Sequence, residues 1–448
     1  SIDKILKEID KIVLDEQFEF LESTVKESIE ENLINLTFNI AESEKFYVEK
    51  INILGNNITR EEVIRNNLLV DEGDAFNELL QTRTLNNLKS LNFFRTVKSE
   101  ILDSENVNKK IINIIVEEKP TGEIVAGVGV STSGGKFAFG VSENNFLGRG
   151  IEFTSDISVS EESLSGLISL NNPNYKGSNR SLNASLESTT TDRLTNFGYK
   201  SDKTGFSIGS TFEFYDDLYW NTGISSYVEK LETDSTASAS MKKQKGSYFD
   251  TFYNQTFSYD KRNQKYQTSD GYISRFKQNI PLISENYTLT NSYDYKIYNE
   301  WLDDNVFSIG FFGKTTNSLS GKDVKLSDRL YLPASKLRGF ESGKVGPKDG
   351  NDHIGGNYAA SINIATTLSQ ILPDSQNTNF SIFFDAANVW GIDYNSALND
   401  DSKIRSSVGI SVDFLTAVGP LNFSLSEPIT KGNNDITESF RFNLGTTF

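Results

Sequence analysis

The patterning of this chain predicts a membrane β fold: a sixteen-stranded antiparallel transmembrane β-barrel preceded by a small α+β domain. Three observations lead there. After Pro120, apolar residues alternate with small polar ones at a period of two. The composition is rich in Phe (31), Tyr (18) and Gly (32), yet mean hydropathy is only −0.41. Finally, the chain contains no apolar run of about 18 residues, the length that reads as a membrane helix. A transmembrane strand needs only about 9–11 residues with every second one apolar, which leaves average hydropathy low.

Composition also removes several classes of function. The formal net charge of −17 argues against a nucleic-acid binder, whose affinity rests on neutralising phosphates. With no Cys and a single His, a disulfide scaffold, a zinc module and a cysteine nucleophile are excluded. The chain opens at Ser1 on a charged stretch, lacks a signal-peptide pattern, and has Met241 as its one Met. The expectation is that it begins inside a longer protein.

Before Pro120 the pattern is mixed. Ile2, Ile5, Leu6, Ile9, Ile12 and Val13 recur at helical spacing, and Leu33 to Ile40 alternates as a strand. Residues 46–119 then form a self-contained unit. A strand from Tyr47 to Leu54 ends at the turn Gly55-Asn56-Asn57. Thr59 and Glu62 are spaced as a capping box, with Val63, Ile64 and Leu68 giving the helix an apolar face. A second helix follows Asn77, and strands over Thr96–Leu102 and Ile111–Glu117 close the unit in the order β-α-α-β-β. Residues 1–45 supply a helix and strands, and read as the latter part of an earlier copy.

From residue 122 to 448 the segments run at roughly twenty residues each, connections included, which accommodates about sixteen strands. Phe206, Ile208, Phe212 and Phe214 oppose Ser207, Gly209, Thr211 and Glu213; Val408, Ile410, Val412 and Phe414 oppose Ser407, Gly409, Ser411 and Asp413. In the last strand, Phe440, Phe442, Leu444 and Phe448 oppose Ser439, Arg441, Asn443 and Gly445. A soluble sandwich also alternates. A Phe-rich face opposite a small polar face suits lipid outside and a wet lumen inside. Tyr215, Tyr219, Trp220 and Trp301 sit near segment ends, as interfacial girdles do.

One connection, about 315–356, is out of proportion to the rest, and loops longer than about 12–15 residues are usually functional or disordered. It holds Leu337-Arg338-Gly339-Phe340 and several glycines. Two readings stand at this point: a flexible extracellular loop, or a segment folded into the barrel. Phe380, Ile382 and Phe384 form an outward set, which puts Asp385 on the lumen side. An inserted Arg could fork onto that carboxylate with two parallel bonds.

Several motifs, in order, resemble one family. They are Leu91-Asn92-Phe93-Phe94, Asn145-Phe146-Leu147-Gly148, Leu337-Arg338-Gly339-Phe340, Gly355-Gly356-Asn357, Phe383-Phe384-Asp385, Gly419-Pro420-Leu421 and the terminal alternation. Together they are similar to the outer-membrane assembly factors of the BamA family, the insertases that join POTRA domains to a β-barrel. The resemblance implies that 46–119 is a POTRA domain, that 1–45 ends a preceding one, and that 122–448 is the barrel. It also implies that the LRGF loop enters the lumen with Arg338 on Asp385. A Glu common in the family eight residues beyond Gly-Gly-Asn is Ala365 here, which leaves Asp385 as the expected partner.

Enzyme readings fail their context tests. His353 stands in the long loop with no nucleophile arranged around it and reads as a solvated residue. Gly127-Val128-Gly129 is followed by no helix, so it is not a phosphate loop. The resemblance implies no enzyme activity, cofactor or metal. It implies a Gram-negative outer membrane, POTRA domains in the periplasm, and a central role in folding and inserting client β-barrel proteins. The partners it implies are unfolded clients, periplasmic chaperones, accessory lipoproteins of the assembly complex, and outer-membrane lipid.

The residues offer a mechanism. The first strand, Gly122 to Ser131, carries Gly122, Gly127, Val128 and Gly129, and glycines weaken pairing with its neighbour. Phe440, Phe442, Leu444 and Phe448 close the barrel against it. Opening this lateral gate exposes strand edges that a client strand could satisfy by β-augmentation. The alternatives are a two-partner secretion or autotransporter-assembly pore of the same superfamily, and a passive porin.

Overall fold

The computed structural model describes residues 21–30, 33–42, 46–265, 268–302, 305–368, 378–398, 402–416 and 419–444. It divides into two compact units: Ser1–Glu123 with Glu143–Glu152, and Ile124–Ser142 with Phe153–Phe448. In the first unit, β1 (Leu21–Glu30) and β2 (Leu33–Glu42) form an antiparallel hairpin, with Leu21 opposite Glu42 and Glu30 opposite Leu33. The helix expected over residues 2–13 lies outside the described residues.

The α+β domain follows in chain order: β3 (Tyr47–Leu54), α1 (Glu61–Arg65), α2 (Glu78–Ser90), β4 (Phe94–Asp103) and β5 (Lys109–Glu118). Its sheet has the order β3-β5-β4, with β3 parallel and β4 antiparallel to β5. A parallel pair cannot be joined by a tight turn, so the helical segment serves as the crossover. Val48 and Ile51 from β3, Ile112, Ile114 and Val116 from β5, and Ile64 and Leu88 from the helices share one core.

The capping box is not formed. α1 is only five residues long, its N-cap is Arg60, and no side chain caps it. Glu118, at the end of β5, takes the donors instead. Its carboxylate accepts from the backbone N–H of Asn57, Ile58 and Thr59 at 2.9, 2.8 and 2.6 Å. These bonds favour the ionised form, and although burial opposes it, the net pKa is lowered. Within this unit the 143–152 turn packs on the same segment. Arg60 N–H donates to Gly148 O at 2.8 Å, and Asn145 Nδ2 to Thr59 Oγ1 at 2.8 Å. Gly148 has φ +69°, and a Cβ there would lie 2.0 Å from Ile58 O, so the position admits only glycine.

The second fold element is the barrel. Its strands are β6 (Gly122–Ser131), β7 (Gly134–Glu143), β8 (Glu152–Ser160), β9 (Ser163–Asn172) and β10 (Arg180–Arg193). They continue with β11 (Tyr199–Tyr215), β12 (Leu218–Thr233), β13 (Gly246–Asp260), β14 (Gly271–Ile283), β15 (Thr288–Leu302) and β16 (Asn305–Ser318). After a loop that holds the two-residue strands β17 (Lys348–Asp349) and β18 (Asp352–His353), the wall resumes. It ends with β19 (Tyr358–Thr367), β20 (Thr378–Trp390), β21 (Arg405–Thr416), β22 (Gly419–Thr430) and β23 (Phe440–Leu444). Sixteen strands close a ring in sequence order, with β23 returning to β6.

The alternation has a direct spatial meaning. Phe206, Ile208, Phe214, Ile309, Phe311, Val408 and Ile410 are exposed on the outer face. Inward positions such as Ser201, Ser225, Ser308, Ser381, Ser407 and Ser424 are buried. Tyr215, Tyr219 and Trp301 are exposed close to strand ends, while Trp220 stacks on Phe257 with centroids 5.6 Å apart.

Candidate functional site

The long connection spans 319–357, shifted from the expected 315–356. β16 stays paired with β15 as far as Ser318, opposite Thr288, and β19 begins at Tyr358, opposite Thr315. The loop folds into the barrel. Leu337 and Phe340 are both 1% exposed, and they pack with Leu330, Leu332 and Val345 against Ala359, Ala387 and Val389 of the wall. Gly339, at φ +87°, sits where a Cβ would lie 3.1 Å from the Ser407 Cβ, so the motif needs glycine to lie this close to β21.

Arg338 is fastened by its side chain and its backbone. Its Nε and Nη2 donate to Asp385 Oδ2 and Oδ1 at 2.7 and 2.8 Å, and its N–H donates to Oδ2 at 3.1 Å. The Asp385 side chain is fully buried. Asn363 Nδ2 donates to Asp385 Oδ1 at 2.8 Å and to Lys336 O at 2.9 Å, tying the same carboxylate to β19. The Arg338 guanidinium also lies over the Phe383 ring, 3.3 Å from its centroid. Ala365 lines the same lumenal cavity of about 1240 Å³ as Arg338 and Lys336. Among the described residues, Asp385 is the carboxylate paired with Arg338.

A second anchor was not evident from the sequence. Lys325 Nζ donates to Glu229 Oε2 at 2.7 Å and to Asp250 Oδ2 at 2.6 Å, with all three side chains no more than 5% exposed. Ser201 Oγ donates to Glu229 and Ser284 Oγ to Asp250. Burial opposes the charge on Lys325, yet Asp328, Glu229 and Asp250 outweigh it and raise its pKa above the lysine range. Arg329 pairs with Asp393, and Arg405 with Asp435 at 2.9 Å. The available signal was inward parity: Glu229 and Asp250 are carboxylates facing a lumen, where a loop cation has to meet them.

His353 is not solvated. It is 2% exposed, its Nε2 lies 3.1 Å from Asn434 O, and its pKa is pushed down to about 4. Burial is the main cause. The Asn434 carbonyl acts against it, and Lys348 and Lys344 add to it.

At the closure, β23 meets β6 at Asn443↔Ser131 and Leu444↔Val130, and Thr132 N–H donates to Phe442 O at 3.2 Å. Phe440 and Phe442 pair on the other side with Leu425 and Phe423 of β22. Gly122, Gly127, Val128 and Gly129 lie on β6 before the described pairs. Phe448 lies outside the described residues.

Comparisons with known proteins agree with this architecture. A family profile described as "Omp85 superfamily domain" matches residues 145–448, and a POTRA profile, "Surface antigen variable number repeat", matches residues 46–119. The chain is 24% identical over 453 residues to the outer membrane protein assembly factor BamA of Nitratidesulfovibrio vulgaris, covering 96% of this chain and 55% of that protein. It thus spans just over half the length of the curated relatives that it matches over nearly its whole length. In structure it is similar to BamA from Haemophilus ducreyi lacking POTRA domains 1–3, with TM-score 0.84, 24% identity, and coverage of 100% of this chain and 93% of that one. CdiB from Escherichia coli is similar in fold at TM-score 0.55 and 11% identity, covering 95% of this chain and 80% of that one.

Proposed function

The chain belongs to the Omp85 superfamily, and on that premise we propose that it is the central insertase of an outer-membrane β-barrel assembly machinery. The observation that carries this reading is the closure. The ring closes where β23 meets β6 at Asn443↔Ser131 and Leu444↔Val130, and β6 carries Gly127 and Gly129, which offer no side chain to a neighbouring strand. Separating these two strands exposes amide edges where no water is available, and each unsatisfied group there costs several kcal/mol. A client strand laid along either edge restores those bonds, so exchange between seam and client is close to neutral. No covalent chemistry is needed.

Unfolded β-barrel proteins are the substrates in this reading, delivered by periplasmic chaperones. The small sheet has β3 and β4 at its two edges; β3 is bonded to residues 73–76, with Val48 N–H donating to Asp74 O at 2.8 Å, so β4 is the edge offered as a template for another strand. Accessory lipoproteins or clients dock there. The β1–β2 hairpin is the end of a preceding POTRA domain.

A disulfide across the seam tests the mechanism. Thr132 and Phe442 are joined by a backbone bond, so Ser131 and Asn443 form the next, non-hydrogen-bonded pair. Such pairs hold Cα atoms about 4.5 Å apart, within disulfide range. The chain has no native Cys to interfere. Ser131→Cys with Asn443→Cys should abolish insertion of an unfolded client into proteoliposomes when oxidised, and restore it on reduction. Full insertion with the bond quantitatively formed overturns the lateral-opening mechanism.

A further inference from the structure

A seam that opens must also close in one register, and the β23 pattern cannot ensure this. A slip of one residue turns every outward side chain inward and is strongly disfavoured. A slip of two residues restores the same faces. Phe440, Phe442 and Leu444 would all still point outward. β6 offers little to oppose such a slip, since Gly127 and Gly129 present no side chain to a neighbour.

The structure holds the closing strand by another route. Residues 432–438, directly ahead of β23, form a strap bonded to the lumenal loop. Phe340 bridges Thr437 in antiparallel fashion. Glu438 N–H donates to Gly339 O at 3.0 Å, Glu341 N–H to Ile436 O at 2.9 Å, and Ile436 N–H to Lys344 O at 3.1 Å. Asp435, whose side chain is fully buried, accepts from Arg405 Nε and Nη2 at 2.9 and 3.2 Å and from Gly346 N–H at 3.1 Å. Arg405 in turn donates to Asn388 of β20 at 2.6 Å.

We propose that the lumenal loop sets the register of the closing strand through this strap, with Asp435 as its positioning residue. The inference rests on the seam reading given above. A two-residue slip moves β23 along its axis by about 6–7 Å. That displacement exceeds the reach of the Arg405–Asp435 fork and of the three backbone bonds, so all must break together. Breaking the fork leaves the buried Asp435 carboxylate without its cation, while Arg405 keeps its bond to Asn388. The loop that carries Arg338 therefore reaches both β20, through Asp385, and the approach to the seam, through residues 339–346.

Register can be read directly in the full-length chain, folded into vesicles with no client present. Asn443→Cys is combined with Gly129→Cys, Ser131→Cys or Ser133→Cys, and oxidation is followed on the folded species. With the strap intact, the Ser131 combination should crosslink at least about tenfold faster than the others, because it alone holds its Cα atoms in disulfide range. Asp435→Asn should reduce that ratio at least about threefold by admitting two-residue slips. Asp435→Glu should retain most of it. Ile436→Pro removes one strap bond and keeps both residues of the ion pair, and Ile436 is 42% exposed, so no buried side chain is lost. It should lower the ratio as well.

A purely structural role for Asp435 predicts less folded barrel but the same ratio. An unchanged ratio in folded Asp435→Asn, or in Ile436→Pro where Asp435→Asn yields no folded species, overturns the proposal. The insertase reading fails separately. If the ratio shifts but locking the Ser131 combination leaves client insertion intact, register control stands and insertion through the seam does not.

Discussion

β11 and β12 stay in register from Tyr199↔Thr233 to Tyr215↔Leu218 with one irregularity, while β23 closes the ring on β6, a strand that carries Gly127 and Gly129. The long-paired wall is reinforced from within. Ser185 and Ser207 hydroxyls lie 2.8 Å apart across β10 and β11, Ser226 and Thr251 lie 2.9 Å apart, and Gln255, Gln278 and Asn291 form a ladder at 2.8 and 2.7 Å. The closing strand, paired with β22, is also held by the strap and the lumenal loop. The two regions teach that a wall can be bonded side chain to side chain across its strands while the strand that closes it is also fastened to a loop in the lumen.

The sharpest separation comes from paired disulfides. Crosslinking Ser131→Cys to Asn443→Cys should eliminate insertion, while crosslinking Ser185→Cys to Ser207→Cys in the wall should leave it unchanged. Insertion rates into vesicles, with and without reductant, measure both. Equal loss in the two variants would erase the distinction between wall and seam.

Next in size is the Arg338–Asp385 pair. Removing one partner of a buried ion pair costs about 3–5 kcal/mol, since the other charge is left without compensation. Arg338→Ala and Asp385→Ala should each expose the loop to protease in the folded barrel and slow insertion. The double variant should be little worse than either single one, because both remove the same interaction. Additive effects would mean that the two side chains act independently.

A smaller effect is expected from pH. His353 has its pKa pushed down to about 4 by burial. Below the ordinary histidine value of about 6.5, a released loop binds a proton that the packed loop does not. Packing is therefore complete above that value and weakens progressively as pH falls toward 4. Lys344 and Lys348 add to the penalty of protonation, and Asp435 offsets part of it. Hydrogen exchange at Asn434 and Asp435 should rise across this window. His353→Gln should remove that part of the dependence.

The smallest effect belongs to the α+β domain. Proline placed in β4 should weaken accessory or client binding and leave the barrel folded, as read by pull-down and by heat-modifiable migration. If prolines along β4 alter no partner contact, that sheet edge is not a docking site.

Much of this molecule was legible before any coordinates, and for identifiable reasons. Phe206, Ile208 and Phe214 against Ser207, Gly209 and Glu213 encode a face toward lipid and a face toward the lumen, because a strand turns its side chains over at every residue. That periodicity, with a Phe-rich face opposite a small polar one and segments of roughly twenty residues over 122–448, pointed to a barrel of about sixteen strands. The β-α-α-β-β order of the small domain followed from a turn and two helical faces. The capping box did not form because Glu118, some sixty residues away, collects the backbone donors of Asn57, Ile58 and Thr59. Arg338 and Asp385 could be named from a motif and from strand parity, and the structure brings those two side chains together.

Parity, however, says which way a side chain points and not how far along the axis its partner lies. Lys325 with Glu229 and Asp250, Arg405 with Asp435, and His353 beneath Asn434 join residues between 30 and 96 positions apart. None of these pairs leaves a local signature. His353 looked like a solvated loop residue for the same reason: burial inside a lumen depends on where the wall closes around the loop. The faces of the strands are local properties of the chain. The register of the closing strand and the contacts of the loop that holds it arise only once the ring has formed.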